Sequence, residues 1–240
     1  MANEDRQAVI ANNIANASTI GFRRQQPVQE GFYDVFVQKL SRPMRFDLEG
    51  APGGGVKVVE TFTDTAAGAV ASTDNPLNVA LTGPGFLVVD TPQGERFTRA
   101  GHFTVDLDGQ LATPDGFKVQ GAGGASIDAR GGDLLIANDG TVRVDGATTG
   151  QLRLVEFEDP HMLTREGGSL YRASEAAMRR STEAENTTVV NKALEMSNVN
   201  LPQEMINMIL GLRVYAANQK VINAMDETMT RLIEQVGMPA

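Results

Sequence analysis

The carboxyl-terminal segment, residues 197–236, is the feature that most constrains how this 240-residue chain can fold. Asn200 and Gln203 have the spacing of a helix capping box, and Pro202 is tolerated in a first helical turn. Beyond the cap, residues recur at alternating spacings of three and four, which is the heptad pattern of a coiled coil or helix bundle. The residues of this row, here called the first seam, are Met205, Met208, Leu212, Tyr215, Gln219, Ile222, Asp226, Met229, Ile233 and Val236, with Ile209 widening it.

The first seam is too long to be a local packing feature. It covers about 32 residues, or about 48 Å of helix, and therefore extends beyond a domain of this size. Either the helix folds back over the rest of the chain or other copies of the chain cover it, and we favour the other copies. Gln219 and Asp226 interrupt the apolar row, and polar residues at such positions tend to fix register and partner number.

The amino-terminal segment predicts a second, shorter helix. Residues 4–17 contain no Gly or Pro, and Ile10 and Ile14 lie four residues apart on one face. A helix of about a dozen residues is marginal by itself in water and needs a packing partner. Gly21 follows soon afterwards and can adopt the left-handed conformation that ends helices.

The middle of the chain predicts an antiparallel β domain. Short period-two segments alternate there with four Asp-Gly pairs, a strong hairpin signal because Gly supplies the positive φ of a tight turn. The expected strands are Val56–Phe62, Leu77–Thr82, Phe86–Thr91, Phe103–Asp106, Leu111–Thr113, Phe117–Gln120, Leu134–Ala137, Thr141–Val144 and Leu152–Phe157.

The predicted fold is therefore mainly β, with an antiparallel β domain flanked by terminal α-helices that form a coiled-coil layer. The predicted regions are an amino-terminal helix and turn (1–24), an extended linker (25–55), the β domain (56–191) and the carboxyl-terminal coiled-coil helix (192–240).

Composition excludes several classes of function. The chain has no Cys, two His and a formal net charge of −9, which argues against thiol chemistry, His-rich metal sites and nucleic-acid binding. The acidic stretch from Asp106 to Gly116 does not fit a calcium loop, because Leu111 and Phe117 occupy the positions that require Gly and Glu. We therefore expect no catalytic, cofactor or metal site, and no apolar run is long enough to span a membrane.

Three blocks of the chain resemble the bacterial flagellar rod and hook proteins. The first, Ala8–Arg24, matches that family's amino-terminal signature, and the second, Thr73–Val119, is similar to its first β segment. The third, Ala193–Ile222, resembles its closing element. The matching residues of the first block are Asn12, Asn13, Ala15, Asn16, Thr19, Gly21 and Phe22, and those of the third include Ser197–Asn200, Glu204, Met205, Met208 and Ile209.

The resemblance implies a non-enzymatic structural subunit of the basal-body rod, of the distal or the proximal type, without a cofactor. Such subunits leave the cell unfolded through the flagellar type III export apparatus, have no cleaved signal peptide, and polymerise into a hollow tube in the periplasm. That tube transmits torque and conducts later subunits, and its partners are copies of itself and other rod and hook proteins. The residues expected to pack between subunits are the first seam with Ile209, and Ile10, Ile14, Asn16, Gly21, Phe22, Asn198 and Asn200.

Two alternatives remain open at the level of sequence. One keeps the family and makes the chain a hook or hook-associated subunit. The other is a secreted β-domain hydrolase or sugar-binding protein, for which Glu156 or His102 would have to be essential.

Overall fold

The computed structural model of the chain describes residues 2–31, 56–167 and 169–236, with side chains described for residues 3–27, 61–167 and 169–232. The chain forms two compact units. The terminal unit consists of Met1–Ile14, Gln25–Phe62 and Asn200–Ala240, and the β unit consists of Ala15–Arg24 and Thr63–Val199. Mainly antiparallel β structure with a helix near each end confirms the coarse prediction of the fold.

The terminal unit contains helix α1 (Ala2–Ala15) and a two-stranded sheet of β1 (Gln25–Gly31) and β2 (Val56–Thr63). Helix α1 ends two residues earlier than predicted, because the chain turns at Asn16, whose carbonyl accepts a hydrogen bond from Thr19 N at 3.1 Å. Strand β1 begins inside the segment predicted as a linker, and the rest of that segment, 32–55, lies outside the described residues.

The carboxyl-terminal helix of the terminal unit runs over 36 residues, Leu201–Val236. Asn200 caps it, since its Oδ1 accepts a hydrogen bond from Gln203 N at 3.2 Å. The Gln203 side chain donates to Asn207 Oδ1 at 3.3 Å, one turn further on. The predicted amino-terminal cap is therefore confirmed for Asn200, and Gln203 contributes its backbone N–H to it.

The β unit is built from short strands in antiparallel pairs. Among the described residues its strands are β3 (Val70–Ser72), β4 (Val79–Thr82), β5 (Phe86–Thr91), β6 (Gly94–Thr98), β7 (Thr104–Val105), β8 (Leu111–Ala112), β9 (Lys118–Val119), β10 (Leu134–Ile136), β11 (Thr141–Val144), β12 (Ala147–Gln151), β13 (Leu154–Phe157), β14 (Leu163–Arg165), β15 (Leu170–Ala173), β16 (Ser181–Glu183), β17 (Thr188–Asn191) and β18 (Ala193–Glu195). A 3-10 turn (Pro160–Met162) and a short helix α2 (Glu175–Arg179) complete it, and the long carboxyl-terminal helix is α3.

The largest sheet of the described part has the order β14-β15-β6-β5-β9-β8-β7, with β13 pairing to both β5 and β16. A three-stranded sheet follows the order β10-β11-β12, and two smaller pairs are β17-β4 and β18-β3. Every segment predicted as a strand contains one, usually shortened by one or two residues. The period-two pattern missed β6 and the run from β14 to β18, and most of these strands are short and contain charged residues.

The four Asp-Gly pairs all connect neighbouring antiparallel strands, as predicted. Their glycines adopt positive φ values between 75° and 86°, a conformation that Gly reaches without steric cost. Their residues are Gly109, Gly116, Gly140 and Gly146.

Strand β5 lies at the centre of the β unit and is buried on both faces. Leu87 and Val89 belong to one buried apolar cluster, and Phe86 and Val88 belong to another on the opposite face. In the second cluster Phe97 and Phe157 meet edge to face with ring centroids 4.8 Å apart. The unit therefore has a packed interior that needs no second molecule.

Candidate functional site

The first seam of α3 is solvent-exposed in this chain. Its described apolar side chains other than the half-buried Met208 are between 45% and 63% exposed, and Gln219 and Asp226 are exposed as well. The side chains of Ile233 and Val236 lie outside the described residues. An apolar row of this length on an otherwise folded chain marks an interaction surface.

A second apolar row, which sequence reasoning missed, runs along another face of the same helix. At about 100° per residue, Ile206, Leu210 and Val214 lie at least about 100° from Met205, whereas Met225 and Leu232 lie within about 60° of Met229, so the two rows converge towards the carboxyl end. A separate charged face carries Arg213, Lys220, Glu227 and Arg231. A helix that packs on one neighbour has an apolar stripe about 100° wide, and α3 has more than that. The second seam consists of the exposed residues Ile206, Leu210, Val214, Val221, Met225 and Leu232.

The described contacts of helix α1 with α3 fall on the first turns of α3. Asn13 Nδ2 is 3.5 Å from Glu204 Oε2, and a Cβ atom added at Gly211 would lie 3.7 Å from Gln7 Cγ. Because the lower-numbered residue of α1 meets the higher-numbered residue of α3, the two helices run antiparallel. The described contacts reach Gly211, but Met205, Ile209 and Leu210 beside them stay about half exposed, and the following turns are exposed as well.

Asn13 holds the amino-terminal segment in place within the terminal unit. Its Oδ1 accepts a hydrogen bond from Gln25 N at 2.9 Å, and its Nδ2 donates to Gln25 O at 2.8 Å. Asn13 is 1% exposed, Ile10 is buried and Ile14 is half-buried. The amide of Asn13 thus ties β1 to α1 and places α1 beside Glu204.

Gly21 and Phe22 are packed inside the β unit. Gly21 has φ of +67°, its N donates to Glu195 O at 2.8 Å, and an added Cβ would lie 2.5 Å from Ala100 N. The buried Phe22 ring stacks against Arg165, whose Cζ is 3.8 Å from the ring centroid. These two signature residues therefore serve contacts within the chain.

Asn198 joins two chain segments of the β unit. Its Oδ1 accepts a hydrogen bond from Arg24 N at 2.6 Å, while its Nδ2 donates to Ala66 O at 2.9 Å and Asp64 O at 3.3 Å. Asn16, closer to α1, is joined to Thr19 by a side-chain hydrogen bond of 3.2 Å. Both asparagines thus shape turns next to the two terminal helices.

A buried charge cluster, which sequence reasoning missed, lies within the β unit. Glu195 is 1% exposed and pairs with Arg23 at 2.5 Å and with Arg99 at 3.5 Å. Burial lowers the pKa of Arg99 to about 10, an effect that Glu195 partly offsets. The only sequence signal was a Glu between Leu194 and Met196, in a segment that otherwise looks apolar.

Glu156 and His102, the candidate residues for an enzymatic site, both have contacts that hold the β unit together. Glu156 Oε1 accepts hydrogen bonds from Thr187 Oγ1 at 2.7 Å and from Asn186 N at 3.0 Å, which fixes the loop before β17. Burial lowers the pKa of His102, which bridges to Asn78 in an isolated β-pairing.

The described helices include none with the length and apolar composition needed to span a bilayer. In the same part of the chain, acidic and histidine side chains do not gather in threes around a point where a metal could bind.

Three family models match the chain in order along its length. The model described as "Flagella basal body rod protein" matches residues 1–23. The model described as "Flagellar hook protein FlgE/F/G D1 domain" matches residues 80–144, and "Flagellar basal body rod FlgEFG protein C-terminal" matches residues 190–235.

Curated relatives match over nearly their whole length. The flagellar basal-body rod protein FlgG of Buchnera aphidicola subsp. Baizongia pistaciae is 32% identical over 93% of this chain and 91% of the relative. The protein of that name from Bacillus subtilis is 32% identical over 94% and 91%. The flagellar basal-body rod protein FlgF of Escherichia coli is 34% identical over 98% and 93%.

Proposed function

The chain belongs to the flagellar basal-body rod proteins and is a structural subunit of the rod, and from this premise we propose how its copies assemble. In the proposed assembly, copies polymerise into a hollow tube. The terminal helices form an inner coiled-coil layer, and the β unit forms the outer layer. Family membership places the chain in the flagellar basal body and makes it a structural protein.

The observation that carries this proposal is the exposure of α3. Both seams leave large apolar side chains in water from Met205 to Leu232. Burying one such side chain contributes about 1.5–3 kcal/mol, so the rows together provide a large driving force for association. Two apolar faces on one helix suit a layer in which each helix has neighbours on two sides.

The antiparallel contact of α1 with the start of α3 gives that part of the helix a partner within the chain. The described contacts with α1 reach Gly211, and the apolar side chains that stay exposed before and after this position are available to other copies. Gln219 and Asp226 then face the seam between copies and set its register, because a mismatched register would bury them against apolar side chains. On this proposal Ile233 and Val236 continue the seam, whereas Gly21, Phe22, Asn198 and Asn200 hold the helices in position.

The division of the chain into four regions, predicted from the sequence, is also part of the proposal. The first 24 residues and the region from 192 onwards would supply the tube layer, 56–191 the outer β domain, and 25–55 a connecting segment. We place the tube in the periplasm, where it transmits torque and conducts later subunits, and we propose export of the subunit by the flagellar type III apparatus without a cleaved signal.

The rod is favoured over the hook because the relatives reported above are named rod proteins. FlgG and FlgF relatives match with similar identity and coverage, so both the distal and the proximal position in the rod are compatible with the chain.

A pair of matched variants tests the proposal. Ile222→Ala removes an exposed first-seam side chain, and Asn223→Ala changes the next residue, on the polar side of the same helix. We expect both monomers to keep the unfolding midpoint of the wild type, while only Ile222→Ala loses polymerisation, followed by sedimentation and electron microscopy. Normal polymerisation of Ile222→Ala and Leu212→Ala would show that the first seam is not the contact between copies.

A further inference from the structure

A cavity of about 140 Å³ lies within the β unit, beside the buried charge cluster. A single water needs about 10–15 Å³ by the same measure, so the cavity accommodates a group of several heavy atoms. Its lining combines cationic, hydroxyl and apolar side chains, namely Arg23, Thr63, Thr65, Pro84, Phe86, Arg99, Pro160, Leu163 and Tyr171.

Among the described residues, two cations at this cavity share one anion. The guanidinium groups of Arg23 and Arg99, 5% and 4% exposed, both pair with the carboxylate of Glu195. A buried charge without a compensating partner is costly, so a second anion would stabilise this arrangement.

Two buried hydrogen-bonding atoms of the lining residues lack a partner among the described residues. They are Arg99 Nε and Tyr171 Oη, and both residues are 3% exposed. Both side chains pack on the same ring, since Arg99 Cζ is 5.0 Å and the Tyr171 centroid 5.6 Å from the centroid of Phe86.

Both of these atoms can act as donors at neutral pH. Burial raises the pKa of Tyr171, so its hydroxyl remains protonated. The pKa of Arg99, lowered to about 10 by burial, still leaves the guanidinium charged. Two donors beside two cations that share one anion are the chemistry that recognises an oxyanion.

The apolar residues that line the cavity indicate which chemical group carries the anion. Pro84, Phe86, Pro160 and Leu163 are apolar and suit a short hydrocarbon chain better than a second charged group. We infer that this cavity binds a carboxylate on a short apolar stem, with Arg99 Nε and Tyr171 Oη donating to its oxygens. The carboxylate comes either from a small free acid or from a Glu side chain of an adjoining copy, and only the second source rests on the proposed assembly.

Nuclear magnetic resonance titration of the full chain with butyrate tests the site, with butyramide as the neutral probe of the same shape. Saturable shifts at the amides around Ala100 and Tyr171 are expected for butyrate alone. Tyr171→Phe keeps the ring and removes one hydrogen bond to a charged group, which weakens binding by at least about tenfold. The control Arg172→Gln, an exposed cation on the same strand, leaves the affinity unchanged.

Three results would overturn the inference: no saturable shifts with butyrate, equal shifts with butyramide, or unchanged affinity of Tyr171→Phe. Because Tyr171→Phe preserves the packing on Phe86, this test does not depend on the folding of an Arg99 variant.

A second arm identifies the source of the carboxylate. If the carboxylate comes from a Glu side chain of an adjoining copy, butyrate competes with that side chain and slows polymerisation of the wild type, whereas butyramide does not. Polymerisation that is indifferent to saturating butyrate assigns the site to a free acid. A chain that binds butyrate but does not polymerise under any condition would count against the proposed assembly and leave the cavity's chemistry intact.

Discussion

The two units of this chain handle their apolar residues in opposite ways. In the β unit, strand β5 is buried on both faces, and Phe86, Phe97 and Phe157 meet edge to face. In the terminal unit, α3 keeps two apolar rows in water over most of its length. Apolar surface therefore stabilises the first unit within one chain, whereas in the second it is available for contacts between chains.

A core variant of the β unit should have the largest effect. Phe97→Ala removes a ring that is 1% exposed and packs on Phe157, and we expect it to lower the free energy of unfolding by about 3–5 kcal/mol. Denaturant unfolding of the monomer measures this change, with Val190→Ala, partly exposed on β17, as the control. A change below that of the control would mean that the β unit is not held together by this cluster.

The buried charge cluster should have an effect of similar size. Glu195→Gln leaves two guanidinium groups buried without their carboxylate, and breaking such a pair costs about 3–5 kcal/mol. Asp128→Asn, which removes an exposed partner of Arg130, is the matched control and should change stability by less than about 1 kcal/mol. Equal unfolding midpoints for the two variants would contradict the role assigned to Glu195.

The helix cap should have a smaller and local effect. Asn200→Ala removes the acceptor of the Gln203 N–H, and losing such a cap costs about 1 kcal/mol. Far-ultraviolet circular dichroism should report less helix, while near-ultraviolet signals of the β unit stay the same. Gln203→Ala keeps the backbone donor and serves as the control. If Asn200→Ala also lost the near-ultraviolet signals of the β unit, the stability of the two units would be more tightly coupled than we expect.

The second seam should show the smallest effect on the monomer. Val221→Ala changes a side chain that is 53% exposed, so the free energy of unfolding should move by no more than about 0.5 kcal/mol. Polymerisation should nevertheless weaken, because this row is expected to face a second neighbour. Polymerisation of Val221→Ala equal to that of the wild type would mean that only the first seam of α3 contacts other copies.

Sequence reasoning succeeded where a local pattern determines the structure. The Asp-Gly pairs predict their hairpins because a tight turn needs a positive φ that Gly supplies, and the cap at Asn200 predicts the start of α3. Neither conclusion requires knowledge of distant residues, since the interactions span only a few positions along the chain.

Sequence reasoning failed where distant residues determine the structure. Arg23, Arg99 and Glu195 are far apart in sequence, and their meeting depends on how the strands order in the sheets. The contacts of the signature residues Gly21 and Phe22 inside the β unit likewise depend on distant residues, and their packing between subunits stays a prediction. The heptad pattern also did not reveal the second seam of α3, because the sequence spacings between its residues differ from the alternating three and four of the first seam.

Chemical labelling of α3 before and after polymerisation tests the central claim most directly. The chain has no Cys, so single variants such as Met229→Cys on the first seam and Leu107→Cys on the exposed β7–β8 turn provide one reactive thiol each. In the monomer both thiols should react with a maleimide at similar rates. In the polymer the thiol at position 229 should become protected while the one at position 107 stays reactive. If the thiol at position 229 reacts in the polymer as fast as in the monomer, α3 does not form the layer between copies.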